Sequence, residues 1–449
     1  MKSEAVSKAE RRGAVILLYG ILVNATVNFF LFNARSLFTI PITESLNVSF
    51  SALSLAYSIS SLSIAACSSP AGKFMSRPRR DYRLMLFLSC FVCGLLTALV
   101  GSVQRIWQLY VLFALRAFPI TVALYLSFPV LMGRFLPKYR NLSNSLILMG
   151  ASLGGILLPD LINRLIESLG WRLTFQLAGA VMAVIVAPLS FLAVRNAPEG
   201  EAAPEAGADG GADGSTEDSG AREALSQPSA EEAETESAAS SAAPAKGSLL
   251  KDKRFLTMAA ALGVSYFIGV ILYHLSPLMQ SMGGSASFAA KMLMLQSLAA
   301  LVSKLLIGRV FDRVSLRAGM TACCIGVILT YAFALLGCLL KHPLLIVLTA
   351  LSYGIGIVCF GTTITPVIYA CYPLERYNEV AGKVTAVTNL AIIAGDQLMS
   401  FCHDLFGSYL PILCLYCLLA IVNLLQFLRL CKGLQQDRKS QTAAADTEQ

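Results

Sequence analysis

Apolar runs of about 20 residues recur along almost the whole chain, each long enough to carry a helix across about 30 Å of hydrocarbon. They fall near 13–38, 48–68, 84–104, 107–133, 142–166 and 172–194, and after an interruption near 255–280, 286–308, 317–340, 344–370, 381–405 and 408–430. A backbone in lipid has no water to bond, so spans of this length satisfy their N–H and C=O groups internally, as helices. Charged residues make up 14% of the 449 and hydrophobic ones 56%, whereas a soluble domain carries roughly 25% charged residues. So few charges cannot coat a soluble surface. The pattern argues against a soluble enzyme, a nucleic-acid binder and a secreted disulfide scaffold. It predicts an all-α, multi-pass membrane protein with twelve transmembrane helices.

The basic residues predict the topology. Lys2, Lys8, Arg11 and Arg12 precede the first run; Lys73, Arg77, Arg79, Arg80 and Arg83, then Arg134, Lys138 and Arg140, fall on the same side two and four spans later. Arg309, Arg313, Arg317, Arg376, Lys383, Arg429 and Lys432 continue that series, while the opposite loops carry Arg105, Arg164, Arg172 and Lys341. By the positive-inside rule both termini are expected in the cytoplasm of a protein of the cell membrane. The first run is too long for a signal-peptide core and lacks a small-residue cleavage site, so it reads as a retained span.

The net charge of +8 combines two populations. Between Glu199 and Glu236 lie 12 of the 27 acidic residues with one basic residue, Arg222, which leaves 34 basic against 15 acidic residues elsewhere. That basic excess suits cytoplasmic loops facing anionic lipid rather than nucleic acid. Residues 197–250 are Ala, Gly, Ser, Glu and Pro with few large apolar side chains, and such a segment cannot offset its ordering entropy. The expected organisation is a six-helix half over 1–196, a disordered acidic cytoplasmic linker over 197–250, a second six-helix half over 251–432 and a cytoplasmic tail over 433–449.

All twelve cysteines lie in or beside apolar runs. Cys90/Cys93 and Cys414/Cys417 have C-x-x-C spacing, but each pair sits inside a span without a second pair, so packing is the expected role and no metal site is read. The chain contains no H-E-x-x-H or paired intramembrane Asp motif, and no phosphate-binding P-loop. It therefore reads as neither an enzyme nor an ATP-driven pump, with no cofactor.

The halves repeat each other. Gly72 and Arg77 recur as Gly308 and Arg313 at a shift of 236, as do Pro137 and Arg140 at Pro373 and Arg376, while Pro129 recurs as Pro366 at 237. Parallel repeats of this kind occur in secondary transporters, which bind substrate near the bilayer midplane. The sharpest motif is Gly308-Arg309-Val310-Phe311-Asp312-Arg313, with Arg317 following. It resembles the G-x-x-x-D-R-x-G-x-R loop motif of the major facilitator superfamily. The first-half copy has Ser76 where that family places Asp. The resemblance implies the major facilitator fold and a conformational latch built from Gly72, Arg77, Gly308, Asp312 and Arg313. Ser69-Pro70, Gly170-Trp171-Arg172, His274-Leu275-Ser276-Pro277 and Gly150-x-x-x-Gly154-Gly155 further resemble the monocarboxylate and oxalate/formate transporter group.

Ionisable residues inside spans are costly in lipid, which makes each a functional candidate. Arg116 lies about 13 Å into the fourth run and matches the arginine the superfamily often carries there; its guanidinium suits a carboxylate. Lys304 stands one turn before Gly308, where the resemblance to monocarboxylate transporters places an anion-binding arginine. Those relatives carry an Asp one turn earlier, where this chain has Ala300, which argues against their scheme of proton coupling. Histidine as a residue type ionises near neutrality, which makes His274 a proton-coupling candidate; Asp396 is a second. Asp396 has a counterpart in Asp160 at the repeat shift, which also allows a structural role. Asn24, Asn28 and Tyr125 are candidate cavity residues, with interhelical bonding as the alternative.

At the repeat shift Arg116 and Lys304 face serines, Ser352 and Ser68, so each half carries one unrepeated cation. The expected function is a secondary transporter of small organic anions, monocarboxylates above all, with Arg116 and Lys304 binding the anion from opposite halves. Symport with a proton and exchange for a counter-anion both remain open, and the protein is expected to act as a monomer in the bilayer. The alternatives are a proton-coupled exporter of lipophilic drugs, a neutral-metabolite transporter, and a non-transporting sensor on the same fold.

Overall fold

A computed structural model describes residues 2–75, 81–136, 140–194, 252–313, 315–357, 364–372 and 376–447. The expected linker 197–250 and the loop residues Ser76, Arg77, Pro137 and Pro373 lie outside the described residues. Among the described residues every regular element is helical. Ten helices are long and apolar enough to cross a membrane, and two shorter apolar helices, Leu146–Leu157 and Pro343–Gly356, fall in the fifth and tenth runs. The chain divides into two compact units, Met1–Ala224 and Leu225–Gln449.

In the first unit, the first span runs through Lys2–Val23, a π-helical Asn24–Asn33 and Arg35–Leu46, well past the expected end near 38. Phe50–Met75 and Tyr82–Val100 form the second and third spans. The fourth passes through Ile106–Leu115, Ala117–Ile120, a π-helical Thr121–Leu126 and Ser127–Phe135. The fifth begins with Arg140–Leu157, and Pro159–Ala180 then carries the chain across a break at Gly170 into the sixth, which ends in Ala187–Ala193. Gly170 has φ 80° and ψ 162°, a conformation that a side chain would strain. That break separates two spans that would otherwise run together.

The second unit follows the same plan. Its spans are Lys253–Ile268 with Ile271–Ser281, Ala286–Arg313, Leu316–Leu340, Pro343–Gly356 with Ile364–Cys371, Tyr377–Phe406 and Leu410–Thr447. The last helix continues through most of the expected tail. The repeat register survives in the backbone: the second and eighth spans start at Phe50 and Ala286, and left-handed Asn47 before one is matched by left-handed Gly283 before the other.

Lipid provides no hydrophobic drive between helices, so close packing and hydrogen bonds hold each unit together. Gly154 of the fifth span sits so near the first that a Cβ there would collide with the Ala25 carbonyl. In the second unit the Ser265 hydroxyl donates to Asn423 Oδ1 at 2.9 Å, and Asn423 Nδ2 donates to the Ala261 carbonyl at 2.7 Å, tying the seventh span to the twelfth.

Candidate transport site

Arg116 marks a discontinuity in the fourth span, where Ile106–Leu115 ends and Ala117–Ile120 begins. Its backbone N–H still donates to the Leu112 carbonyl at 3.1 Å, so the helix direction continues while the side chain turns inward. The residue is 3% exposed, and its Nε is buried without a hydrogen-bond partner. The guanidinium carbon lies 3.7 Å from the centre of the Phe113 ring. Phe113 packs on Tyr57 of the second span with ring centres 5.1 Å apart, and Tyr57 carries a second guanidinium, that of Arg35, 3.8 Å from its ring centre.

Arg35 is 8% exposed and belongs to the first span. It escapes the sequence reading because the first apolar run fades near residue 38, which makes Arg35 resemble a terminal charge. The helix instead continues to Leu46 with Pro41 inside it, and Arg35 is buried at the start of this extension.

The other first-unit candidates are arranged along the helices that carry them. Asn28 Nδ2 donates to Asn24 Oδ1 at 2.9 Å, and Asn24 Nδ2 donates to the Gly20 carbonyl at 3.1 Å. These bonds form a ladder on one face of the first span, at the start of its π-helical segment. There the Ala34 N–H reaches back five residues to the Phe29 carbonyl at 2.9 Å. Tyr125 lies in the π-helical stretch of the fourth span, and its side chain is outside the described residues.

In the second unit the seventh span is interrupted at Gly269 and Val270. The interruption leaves carbonyls that need donors in a dry environment. Tyr331 of the ninth span donates its hydroxyl to the Ile268 carbonyl, and Tyr353 of the tenth donates to the Gly269 carbonyl at 3.2 Å. Past this break, the helix Ile271–Ser281 carries His274 against the eleventh span. His274 Nε2 lies 3.0 Å from Asp396 Oδ1, with both side chains 3% exposed. The Ser400 hydroxyl lies 3.5 Å from the same nitrogen, and the Tyr409 hydroxyl lies 3.4 Å from Nδ1. The His403 ring stacks near Tyr409, with centres 4.4 Å apart. The two proton-coupling candidates are thus direct partners, and Asp396 is not a mirror of Asp160, which pairs with Arg164 at 2.8 Å on its own helix.

Lys304 is exposed, on a stretch of the eighth span that also exposes Val302 and Leu306, while Ala300 one turn away is buried. Of the latch residues, Gly72 lies near the end of Phe50–Met75; Gly308, Asp312 and Arg313 continue the helix Ala286–Arg313, with side chains outside the described residues. The described cysteines are free thiols, and Cys90 approaches the Tyr19 hydroxyl at 3.9 Å.

Solved structures share this architecture. A bacterial homologue of the human lysosomal transporter Spinster, in an inward-facing and occupied conformation, superposes with a TM-score of 0.62 at 15% identity, covering 97% of each chain. The nucleoside transporter NupG gives 0.65 at 12% identity over 94% of this chain and 99% of its own. A D-xylose–proton symporter gives 0.60 at 14% identity over 92% and 96%. No curated protein matches the chain in sequence. The profile of the Major Facilitator Superfamily matches residues 18–395, through both units and most of their helices. Twelve helices in two repeated halves, and a sequence match that runs through both, make this chain a member of the Major Facilitator Superfamily, a transporter rather than an enzyme.

Proposed function

We propose that this transporter carries small organic anions by alternating access, in the cell membrane with both termini cytoplasmic. Monocarboxylates are the class that the sequence resemblance implies. The observation that carries the reading is Arg116, an almost fully buried guanidinium whose Nε lacks a partner. A buried charge without compensation costs several kcal/mol, and a carboxylate supplies both the opposite charge and paired acceptors in the plane of the guanidinium. Lys304 is the corresponding cation of the second unit, reached by substrate from an exposed position. Asn24, Asn28 and Tyr125 complete the candidate binding residues, and Gly72, Arg77, Gly308, Asp312 and Arg313 remain the candidate latch.

The His274–Asp396 pair is the proposed coupling element. His274 and Asp396 are buried together at 3.0 Å, and a proton can pass between an imidazole and a carboxylate at that distance. This supports proton symport despite the apolar Ala300. NupG and the D-xylose symporter are named for uncharged solutes, so the same fold also serves neutral substrates.

The test is uptake into proteoliposomes from a panel of labelled carboxylates, sugars and nucleosides, with and without a pH gradient. Carboxylate uptake that is lost in Arg116→Gln and Lys304→Gln is the expected result. Uptake of an uncharged solute that survives both substitutions would replace this reading with a neutral-metabolite transporter.

A further inference from the structure

The His274–Asp396 pair is buried, so a proton that reaches it needs a route from water. The end of the eleventh span supplies the geometry for one. Its helix stops at Phe406, and Gly407 takes the left-handed conformation, φ 61°, with its N–H donating to the His403 carbonyl at 2.9 Å. Glycine ends a helix this way without a Cβ penalty, and the chain turns back at once. Residues 404–407 are exposed, yet Tyr409 is 1% exposed. The returning tyrosine touches both histidines of this region. Its hydroxyl lies 3.4 Å from His274 Nδ1, and its ring centre lies 4.4 Å from that of the partly exposed His403.

The repeat provides an internal control. At the shift of 236, His274 corresponds to Phe38. Phe38 is buried beside Phe30 and Phe175, with ring centres 5.4 and 4.4 Å away. The equivalent place in the first unit thus closes with apolar rings, and a polar chain of side chains is no requirement of the packing. The titratable groups acting on Tyr409 and His403 are Asp404, Asp396, His274 and Cys338 of the ninth span. Tyr416 of the twelfth span also lies near Asp396, but it donates its hydroxyl to the Gly395 carbonyl at 2.7 Å.

Resting on the coupling reading above, we propose that His403 and Tyr409 relay protons from the outer surface to the His274–Asp396 pair. With both termini cytoplasmic, this end of the eleventh span faces outside. His403 collects a proton from water beside the exposed Asp404, whose charge raises the local proton concentration. An ionised carboxylate only accepts, so neutral His274 directs its Nε2 hydrogen at Asp396 and its Nδ1 lone pair at Tyr409. Tyr409 gives its hydroxyl proton to Nδ1 as it regains one from His403, and the Nε2 proton passes to Asp396 Oδ1. One proton enters and one carboxylate is protonated. His403 and Tyr409 return to their starting forms, and His274 is left neutral in its other tautomer. A tyrosine hydroxyl suits this position because it both donates and accepts.

Proteoliposomes of the full-length protein test this, with labelled lactate, D-xylose and uridine as probes and the external pH varied. For whichever probe accumulates, Tyr409→Phe should slow gradient-driven uptake about tenfold and leave counterflow exchange unchanged. That variant keeps the ring against His403 and removes only the hydroxyl. His403→Gln should slow the same uptake about threefold, most strongly at high external pH, where protons are scarce. External imidazole should restore the rate of His403→Gln, since a mobile proton carrier replaces the lost one, and it should not restore Tyr409→Phe. An unchanged gradient-driven rate in either variant would overturn the inference, as would equal loss in gradient-driven uptake and counterflow or a His403→Gln defect that imidazole leaves in place. In each of those cases gradient-driven uptake by the unsubstituted protein keeps the coupling reading standing. No gradient-driven accumulation of any probe by the unsubstituted protein would overturn the coupling reading and this inference with it.

Discussion

Asp160 and Asp396 occupy equivalent places in the two repeats and have different surroundings. Asp160 pairs with Arg164 one turn along its own helix, and the arginine side chain is 72% exposed. Asp396 is buried against His274, a residue from another span, with Ser400 and Tyr409 around the imidazole. The cationic cluster shows the opposite asymmetry: Arg35 and Arg116 sit on aromatic rings in the first unit, and their counterparts Ile271 and Ser352 are uncharged. The comparison teaches that the repeat specifies helices, their ends and their close contacts, and leaves the buried charges free to differ between the copies. Under the proposed function the first unit would recognise charge and the second would handle the proton.

The largest expected effect tests the first half of that division. Arg116→Gln should lower carboxylate transport by about 100-fold or more at every pH, the scale of truncating one partner of a buried charged hydrogen bond. Arg116→Lys should recover little, because an ammonium lacks the planar fork. Initial uptake rates between pH 5.5 and 8 would check both. A variant that transports normally at one end of that range would move Arg116 into the proton pathway and break the division.

The second half predicts a different phenotype. His274→Gln or Asp396→Asn should lower accumulation driven by a pH gradient by about tenfold, while counterflow exchange without a gradient persists. Each single substitution leaves the other partner buried alone, so the double variant should be less impaired than the two singles combined. Measuring counterflow and gradient-driven uptake on the same vesicles separates coupling from binding. Equal loss in both assays would place the pair in the substrate site.

A scaffold residue should affect neither assay selectively. Tyr331→Phe deprives the interrupted seventh span of a donor at the Ile268 carbonyl and should cost about 1–3 kcal/mol. The readout is a lower melting temperature in detergent, with substrate selectivity unchanged.

Smaller still is the contact at the start of the seventh span, where the Tyr372 hydroxyl donates to Asp252 Oδ2 at 2.6 Å. Burial raises the Asp252 pKa, but the bonds from Tyr372 and from the Arg254 and Phe255 backbone outweigh it and hold the carboxyl below its usual value. A lowered folded pKa means that the stabilisation is present above the unfolded value near 4 and is lost as pH falls through the folded one. Tyr372→Phe should therefore destabilise the protein at neutral pH by less than about 1 kcal/mol, since the carboxylate is partly exposed. The difference should shrink below about pH 4, as melting curves across pH would record. Last, Asp160→Asn should change stability by less than about 0.5 kcal/mol and leave gradient-driven uptake intact. A coupling defect there would erase the contrast with Asp396.

Much of the architecture was legible in one dimension. The length of an apolar run decides whether a helix spans the bilayer, and backbone hydrogen bonding in lipid leaves no other local structure, so the number and order of the spans required no knowledge of packing. Arg116 was legible for the same reason, as a charge deep within such a run. Arg35 was not, because its burial depends on a helix that continues to Leu46 after the apolar signal weakens. The partnership of His274 with Asp396 joins residues 122 positions apart, and periodicity along a single helix carries no information about which face of another helix it will meet. Sequence by itself determined the membrane fold, its repeat and the presence of buried charges, because these follow from local transfer free energies. Only the tertiary structure decided that two arginines share one aromatic cluster and that a histidine lies against an aspartate, because such contacts are set by how the helices of each unit pack.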